Sequence, residues 1–268
     1  MFAPPTKRAL VTGGTRGIGF DLCKMLLDKN YEVVFTGRTQ QTVNEALRKY
    51  SNPNIQGVVL DMTDPAMVAH IPRYCRFDVL IHNAGMLSRD GLHNMGESRL
   101  QKMFMVNAMA PMYLTKYCLP YMEQQRNGRI LFFCPPYRID RKTQRLTPYM
   151  QTKLAQTTFM RSLADMVDPG RDGSSGITVG GFWTEFPIYT DALVKRKIGV
   201  RENCMDPGII SKMVGLMLDD KPYNIHGKVM VDRHYLSEKG CDPFKWSLGK
   251  NLKDLKRLDE LFLSDNKK

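Results

Sequence analysis

Paired cysteines are missing from this sequence. Its six cysteines (Cys23, Cys75, Cys118, Cys134, Cys204, Cys241) show no Cys-x-x-Cys spacing. That argues against a zinc site and points to reduced thiols in a protein outside the secretory route. Missing too is any apolar run of the ~18–20 residues that a membrane-spanning helix needs. The segment Met1–Lys7 is too short and too polar to act as a secretory signal. No repeat, low-complexity tract or Pro/Ser-rich linker divides the 268 residues. Acidic residues are in deficit, 27 against 39 Lys plus Arg, which leaves a net charge of +12. A surplus of this size suits a polyanionic cofactor or substrate, or docking on RNA, anionic lipid or an acidic partner. No nucleic-acid-binding motif accompanies it. The densest basic cluster, Lys195-Arg196-Lys197 with Arg201, reads equally well as a solvated loop.

What is present is a regular alternation of strand-like and helix-like segments. Strands are expected over 9–11, 32–36, 58–60, 79–81, 130–133, 177–179 and 228–231, all short and most of them rich in β-branched residues. Helices are expected over 18–27, 42–50, 64–74, 98–122, 148–166 and 208–218. Seven strands interleaved with helices predict an α/β fold: a doubly wound (Rossmann) seven-stranded parallel sheet with helices on both faces. Residues 7–232 form this nucleotide-binding domain. Residues 233–268 form a more polar extension, in which Leu252, Leu255, Leu258 and Leu261 predict a short helix packing on the domain.

Between the first strand and the first helix lies Thr12-Gly13-Gly14-Thr15-Arg16-Gly17-Ile18-Gly19. A dinucleotide pyrophosphate needs a turn free of Cβ obstruction, close backbone approach and a helix N-terminus with free N–H groups. Glycines at 13, 17 and 19 meet those needs, and the strand–turn–helix setting gives the run its specificity. The end of the second strand chooses between cofactors. An acidic residue there would bind the adenosine ribose of NAD. The segment here is Phe35-Thr36-Gly37-Arg38-Thr39. Arg38, with Arg16 in the glycine turn, can instead meet a 2′-phosphate through a forked, charged contact. NADP is therefore the expected cofactor, with NAD the lesser alternative.

The spacing Thr-Gly-x-x-x-Gly-x-Gly resembles the fingerprint of the short-chain dehydrogenase/reductase family, and further matches follow in that family's order. Asp61 and Met62 stand after the third strand, where the family borders the adenine. His82-Asn83-Ala84-Gly85 is similar to its Asn-Asn-Ala-Gly motif, with the first Asn replaced. Asn107 matches its helical asparagine, and Tyr149-Met-Gln-Thr-Lys153 matches its Tyr-x-x-x-Lys pair. The resemblance implies cofactor contacts from Thr12, Gly13, Thr15, Arg16, Gly17, Ile18, Gly19, Arg38, Asp61, Met62, Asn83, Ala84 and Gly85, together with Tyr149 and Lys153. It also implies a catalytic set of Tyr149, Lys153 and Asn107, the last placing a water on a proton relay. Within the family the closest subgroup comprises hydroxysteroid dehydrogenase-like proteins that elsewhere carry a sterol-carrier module. Cys134-Pro135-Pro136 and Phe182-Trp183-Thr184 carry that likeness, and the module has no counterpart in these 268 residues.

Tyr and Lys four apart share one helix face. A phenol titrates near pH 10 unperturbed, and a nearby ammonium is expected to lower it toward a working acid–base range. Two departures stand against a complete catalytic set. The family's serine after the fifth strand falls on Pro135, beside Cys134, and proline offers no donor. Thr143, Thr147 or Tyr137 are the hydroxyls that could substitute. The family's Pro-Gly after the sixth strand reads Thr184-Glu185, a carboxylate that would repel cofactor phosphate, clash with the carboxamide or turn to solvent.

Two functions follow. One is an NADP(H)-dependent oxidoreductase that interconverts a secondary alcohol and a ketone or aldehyde, lipid-like substrates included, with an apolar lid from Phe186, Ile188, Tyr189 and Leu193. The other is a catalytically weak or inactive homologue kept as an assembly subunit of a larger complex, for which a mitochondrial, RNA-containing assembly is one candidate. The family implies homo-oligomerisation through the helices near 98–122 and 148–166. A basic, disulfide-free chain suits the mitochondrial matrix, with cytoplasm the alternative.

Overall fold

The computed structural model describes residues 7–74, 76–88, 90–137, 147–170, 176–195, 200–249 and 255. Its elements run β1 (Arg8–Val11), α1 (Gly17–Asp28), β2 (Glu32–Gly37), α2 (Gln40–Tyr50), β3 (Ile55–Val59), α3 (Pro65–Tyr74), β4 (Val79–His82) and α4 (Glu97–Phe104). They continue through one π-helical turn (Met105–Met109) into α5 (Ala110–Gln125), β5 (Asn127–Phe133), α6 (Thr147–Met166) and β6 (Gly176–Trp183). The chain then passes α7 (Asp191–Lys195), α8 (Gly208–Asp219), α9 (Pro222–Ile225), β7 (Val229–Val231) and α10 (Asp232–Glu238).

The strands form one parallel sheet in the order β3-β2-β1-β4-β5-β6-β7. Each central strand is buried on both sides, and successive side chains point to opposite faces. Ala9, Val11, Val33, Phe35, Val79 and Ile81 join one core with Leu22 and Leu26 of α1 and Ile209, Met213 and Val214 of α8. Leu10, Val34 and Leu80 join the other, with Val68 of α3, Leu114 of α5 and Met160 of α6. The sheet reverses its winding between β1 and β4, which opens a crevice at their carboxyl ends.

Three expected elements differ. The long helix over 98–122 is divided by the π turn around Asn107, whose side chain bonds outside its own helix. β6 continues through Gly180 and Gly181 to Trp183, although glycine signals no strand by propensity. Both glycines are set by crowding: a Cβ at 180 would lie 2.7 Å from Ile225 Cγ2, and one at 181 would lie 2.8 Å from Cys134 Sγ. β3 begins at Ile55, earlier than its Val58–Leu60 apolar run suggests.

Beyond β7 the chain packs back onto the segment after β6. The Asp206 N–H donates to Trp246 O at 2.7 Å and the Leu248 N–H to Cys204 O at 3.1 Å. Of the expected leucine stripe, Leu255 is buried, while Leu252, Leu258 and Leu261 lie outside the described residues, as do Arg196 and Lys197. Among the described residues no helix is long and apolar enough to cross a membrane.

Candidate active site

The glycine turn closes over the end of β1. Gly13 and Gly17 take φ of +72° and +55°, a left-handed backbone that glycine adopts without penalty. A Cβ at Gly19 would stand 2.1 Å from Gly13 O, so helix and turn touch backbone to backbone. Neighbouring strands hold the turn. The Gly13 N–H donates to Thr36 Oγ1 (3.1 Å) and the Gly14 N–H to Thr36 O (3.0 Å). The Tyr50 hydroxyl donates to Gly14 O at 2.5 Å, with its ring stacked on Phe20. Thr12 Oγ1 accepts the N–H groups of both Asn83 and Ala84 at 3.0 Å, and Asn83 Nδ2 returns a bond to Thr12 O (3.0 Å). Arg16 stands at the N-cap of α1 without a side-chain cap bond, and the first turn holds no acidic residue. The helix N-terminus thus presents its N–H groups and positive dipole end to the crevice, a seat for an anion. Thr190 closes on this turn from the far side, its Cγ2 3.0 Å from where a Gly17 Cβ would be.

At one end of the crevice, Arg38 and Arg16 are exposed. Asp61 Oδ1 accepts the Thr63 N–H and hydroxyl, each at 2.8 Å. The Thr63 backbone bond is the main influence that lowers the Asp61 carboxyl, with smaller help from Arg38 and Lys102. Met62 beside it is buried.

At the other end, α6 meets the π turn. Asn107 Oδ1 accepts the Met86 N–H (2.7 Å), and Asn107 Nδ2 donates to Met86 O (3.0 Å) and Thr152 Oγ1 (2.9 Å). Its amide therefore locks the loop after β4 to α6. Lys153, 1 % exposed, donates from Nζ to Gln156 Oε1 at 2.6 Å and lies 5.3 Å from the Phe133 ring centroid. Burial pulls Lys153 down to about 8. Burial alone pushes the Tyr149 phenol above its ordinary value, with no opposing pull from Lys153. The expectation that the ammonium lowers this phenol is corrected for the chain by itself, because the ammonium turns to Gln156.

The sequence model of the short chain dehydrogenases matches residues 7–186. The chain belongs to the short chain dehydrogenase family. It is 27% identical to an uncharacterized oxidoreductase, YvrD, of Bacillus subtilis over 184 residues, 67% of this chain and 70% of that one. It is 29% identical to gluconate 5-dehydrogenase of Gluconobacter oxydans over 212 residues, 73% of this chain and 82% of that one. A solved structure assigned as an NAD(P) dependent gluconate 5-dehydrogenase from Beutenbergia cavernae, with NADP bound at low occupancy, superposes with a TM-score of 0.69. That pair shares 21% identity, over 89% of this chain and 96% of that one. The sheet order and flanking helices are those of a short chain dehydrogenase, and the family chemistry is oxidoreduction.

Against that family's pattern the two departures take definite form. Cys134 is fully buried, its thiol pushed up to about 11 chiefly by burial. Pro135 O accepts the Thr157 hydroxyl at 2.6 Å, and proline itself offers no donor here. Tyr137 is exposed, with Arg161 over its ring at 4.9 Å. Thr143 and the side chain of Thr147 lie outside the described residues.

Glu185 neither faces the crevice as an unpaired charge nor turns to solvent, which corrects the expectation of an exposed carboxylate. Its Oε2 pairs with Arg233 Nε at 2.7 Å, with His234 within 3.8 Å, and its side chain is 13% exposed. Below it Asp232, fully buried, accepts the Glu185 N–H (2.9 Å), the Arg233 N–H (2.7 Å) and the Thr184 hydroxyl (2.9 Å). Phe186 and Ile188 are core residues, packed with Met205. Sequence reading missed Thr36, Tyr50, Thr152, Gln156, Asp232 and Arg233. Of these only Thr152 and Gln156 carried a local signal, since they flank Lys153 on the same helix.

Proposed function

We propose that this protein is an NADP(H)-dependent oxidoreductase that interconverts a secondary alcohol and a ketone, or a primary alcohol and an aldehyde. The observation that carries the reading is the glycine cradle, where any side chain at Gly19 would collide with Gly13 O and an uncapped helix N-terminus faces the crevice. These residues fit a pyrophosphate. Gly13, Gly17, Ile18 and Gly19 would hold it, Arg38 and Arg16 would meet a 2′-phosphate, and Asp61 and Met62 would border the adenine. The bound nicotinamide supplies the hydride acceptor or donor.

The chain's own residues supply the rest. Tyr149 takes the proton from an alcohol or gives it to a carbonyl at its hydroxyl oxygen. The phenol, protonated near neutral pH and raised further by burial, stands in the form that gives its proton to a carbonyl. Lys153 provides the positive charge beneath the site, and Asn107 fixes the loop after β4 against α6. Without a serine donor at Pro135, turnover is expected to fall on the order of 10²–10³ below that of a fully equipped site. The relative named gluconate 5-dehydrogenase and the neighbour that carries NADP support the cofactor and reaction class.

Fluorescence titration is expected to show NADPH binding at least ~10-fold tighter than NADH, a preference that Arg38→Ser removes. Tyr149→Phe is expected to retain NADPH binding and lose reduction across a panel of ketones and aldehydes. Wild-type rates no higher than those of Tyr149→Phe would refute the catalytic half of the proposal.

A further inference from the structure

One turn beyond Lys153 on α6 lies Gln156, fully enclosed. Its Oε1 accepts from Lys153 Nζ at 2.6 Å, while its Nε2 has no partner among the described residues. A buried amide that leaves its nitrogen unbonded costs stability, and a leucine of similar size would fill the space without that penalty. The residue is therefore poorly explained by packing, and its one bond is to the ammonium.

The other groups around that ammonium are weak partners for a cation. From β4, His82 is buried, held neutral by burial with its pKa pulled down to about 3, and bonded through Nε2 to Thr115 Oγ1 at 2.8 Å. After β5, Cys134 is a buried thiol raised to about 11, mainly by burial. On α6 itself, the Tyr149 phenol is raised by burial. The π turn and β6 contain no ionisable residue, and the charged side chains of α4 (Glu97, Arg99, Lys102) are exposed or half-exposed. The Phe133 ring adds a cation–π contact.

We propose that Gln156 is a positioning residue whose side-chain oxygen fixes the Lys153 ammonium beneath the crevice and keeps it charged there. Gln156 thereby sets the pH range over which Lys153 supports cofactor binding. That last step rests on reading the crevice as a dinucleotide site; the effect on Lys153 itself does not.

The test uses full-length protein labelled with ¹³Cε-lysine, with the Lys153 resonance assigned by its loss in Lys153→Met. Gln156→Leu is expected to move the Lys153 titration midpoint down by about one pH unit, a tenfold change in its acid constant. Gln156→Glu, which retains the acceptor and adds a negative charge, is expected to move it up by at least as much. The pH dependence of the NADPH dissociation constant should follow in the same directions. Midpoints unchanged in both variants, or displaced the same way in both, would overturn the proposal, since a merely structural disturbance treats the two alike. Should Gln156→Leu fail to fold, the upward shift in Gln156→Glu decides. Absence of NADPH binding by the wild type would remove the cofactor reading, while the lysine titration would still judge Gln156.

Discussion

Asp232→Asn should make the protein more stable relative to wild type as pH rises, although it deletes a buried and fully bonded carboxylate. Thr184 has one hydroxyl hydrogen but contacts two acceptors, Asp232 Oδ2 and Phe186 O. Ionised Asp232 leaves one of them unserved. Protonated Asp232 can donate to Thr184 Oγ1 while Thr184 donates to Phe186 O, and every hydrogen finds a place. Burial, the dominant influence, accordingly pushes the Asp232 carboxyl up to about 6, against three hydrogen bonds that favour its ionised form. The folded pKa thus lies about two units above the unfolded one, equivalent to about 3 kcal/mol. A carboxyl raised on folding contributes its stability below its unfolded pKa, near 4, and loses it as pH climbs through 6. Asparagine at 232 can place Nδ2 against Thr184 Oγ1 and keep Oδ1 for the N–H groups of Glu185 and Arg233, mimicking the protonated acid without its titration. Melting temperatures of both proteins from pH 4 to 7.5 give the test. The difference between them should grow in favour of Asp232→Asn by about 6 °C, at roughly 2 °C per kcal/mol for a chain of this size. A difference that stays flat across this range would refute the assignment, because all other titrations are common to both proteins.

Two further outcomes follow from the crevice. Thr12→Val keeps the shape but strips the acceptor from the N–H groups of Asn83 and Ala84; about 2 kcal/mol of stability should be lost in urea unfolding, with weaker NADPH binding. Gly19→Ala forces backbone apart at Gly13 O; NADPH affinity should drop at least ~100-fold by fluorescence titration while far-ultraviolet circular dichroism still shows a folded α/β chain.

The parts of this molecule that could be read in one dimension are those whose causes are local. Short runs rich in β-branched residues located the strands, because strands buried on both faces read as continuous apolar segments. The glycine turn was legible because small residues at fixed offsets serve one backbone shape, and Tyr149 and Lys153 because helical spacing places them together. The pairing of Glu185 with Arg233 was not legible, since 48 residues separate them and only the adjacency of β6 and β7 unites them. Tyr50 escaped notice for the same reason: its hydroxyl serves Gly14 across β2. The direction of the Lys153 side chain was a third blind spot. Spacing gives the helix face, but Gln156, not Tyr149, takes the ammonium, and that choice depends on which polar atoms the surrounding core leaves available.

The wide turn at Met105–Met109 has a bearing on how this chain can change over time. It contains one residue more than an α-helical turn would. Loss of one residue there would restore an unbroken α-helix and leave the residues downstream in their present register, because the wide turn already absorbs the extra residue. Leu114, Cys118 and Met122 would keep their places inside the core, while Asn107 would lose the bulged position from which it reaches both Met86 and Thr152. The extra residue is therefore held by the loop after β4 and by α6 rather than by the core, and descendants of this chain could discard it only by giving up that junction.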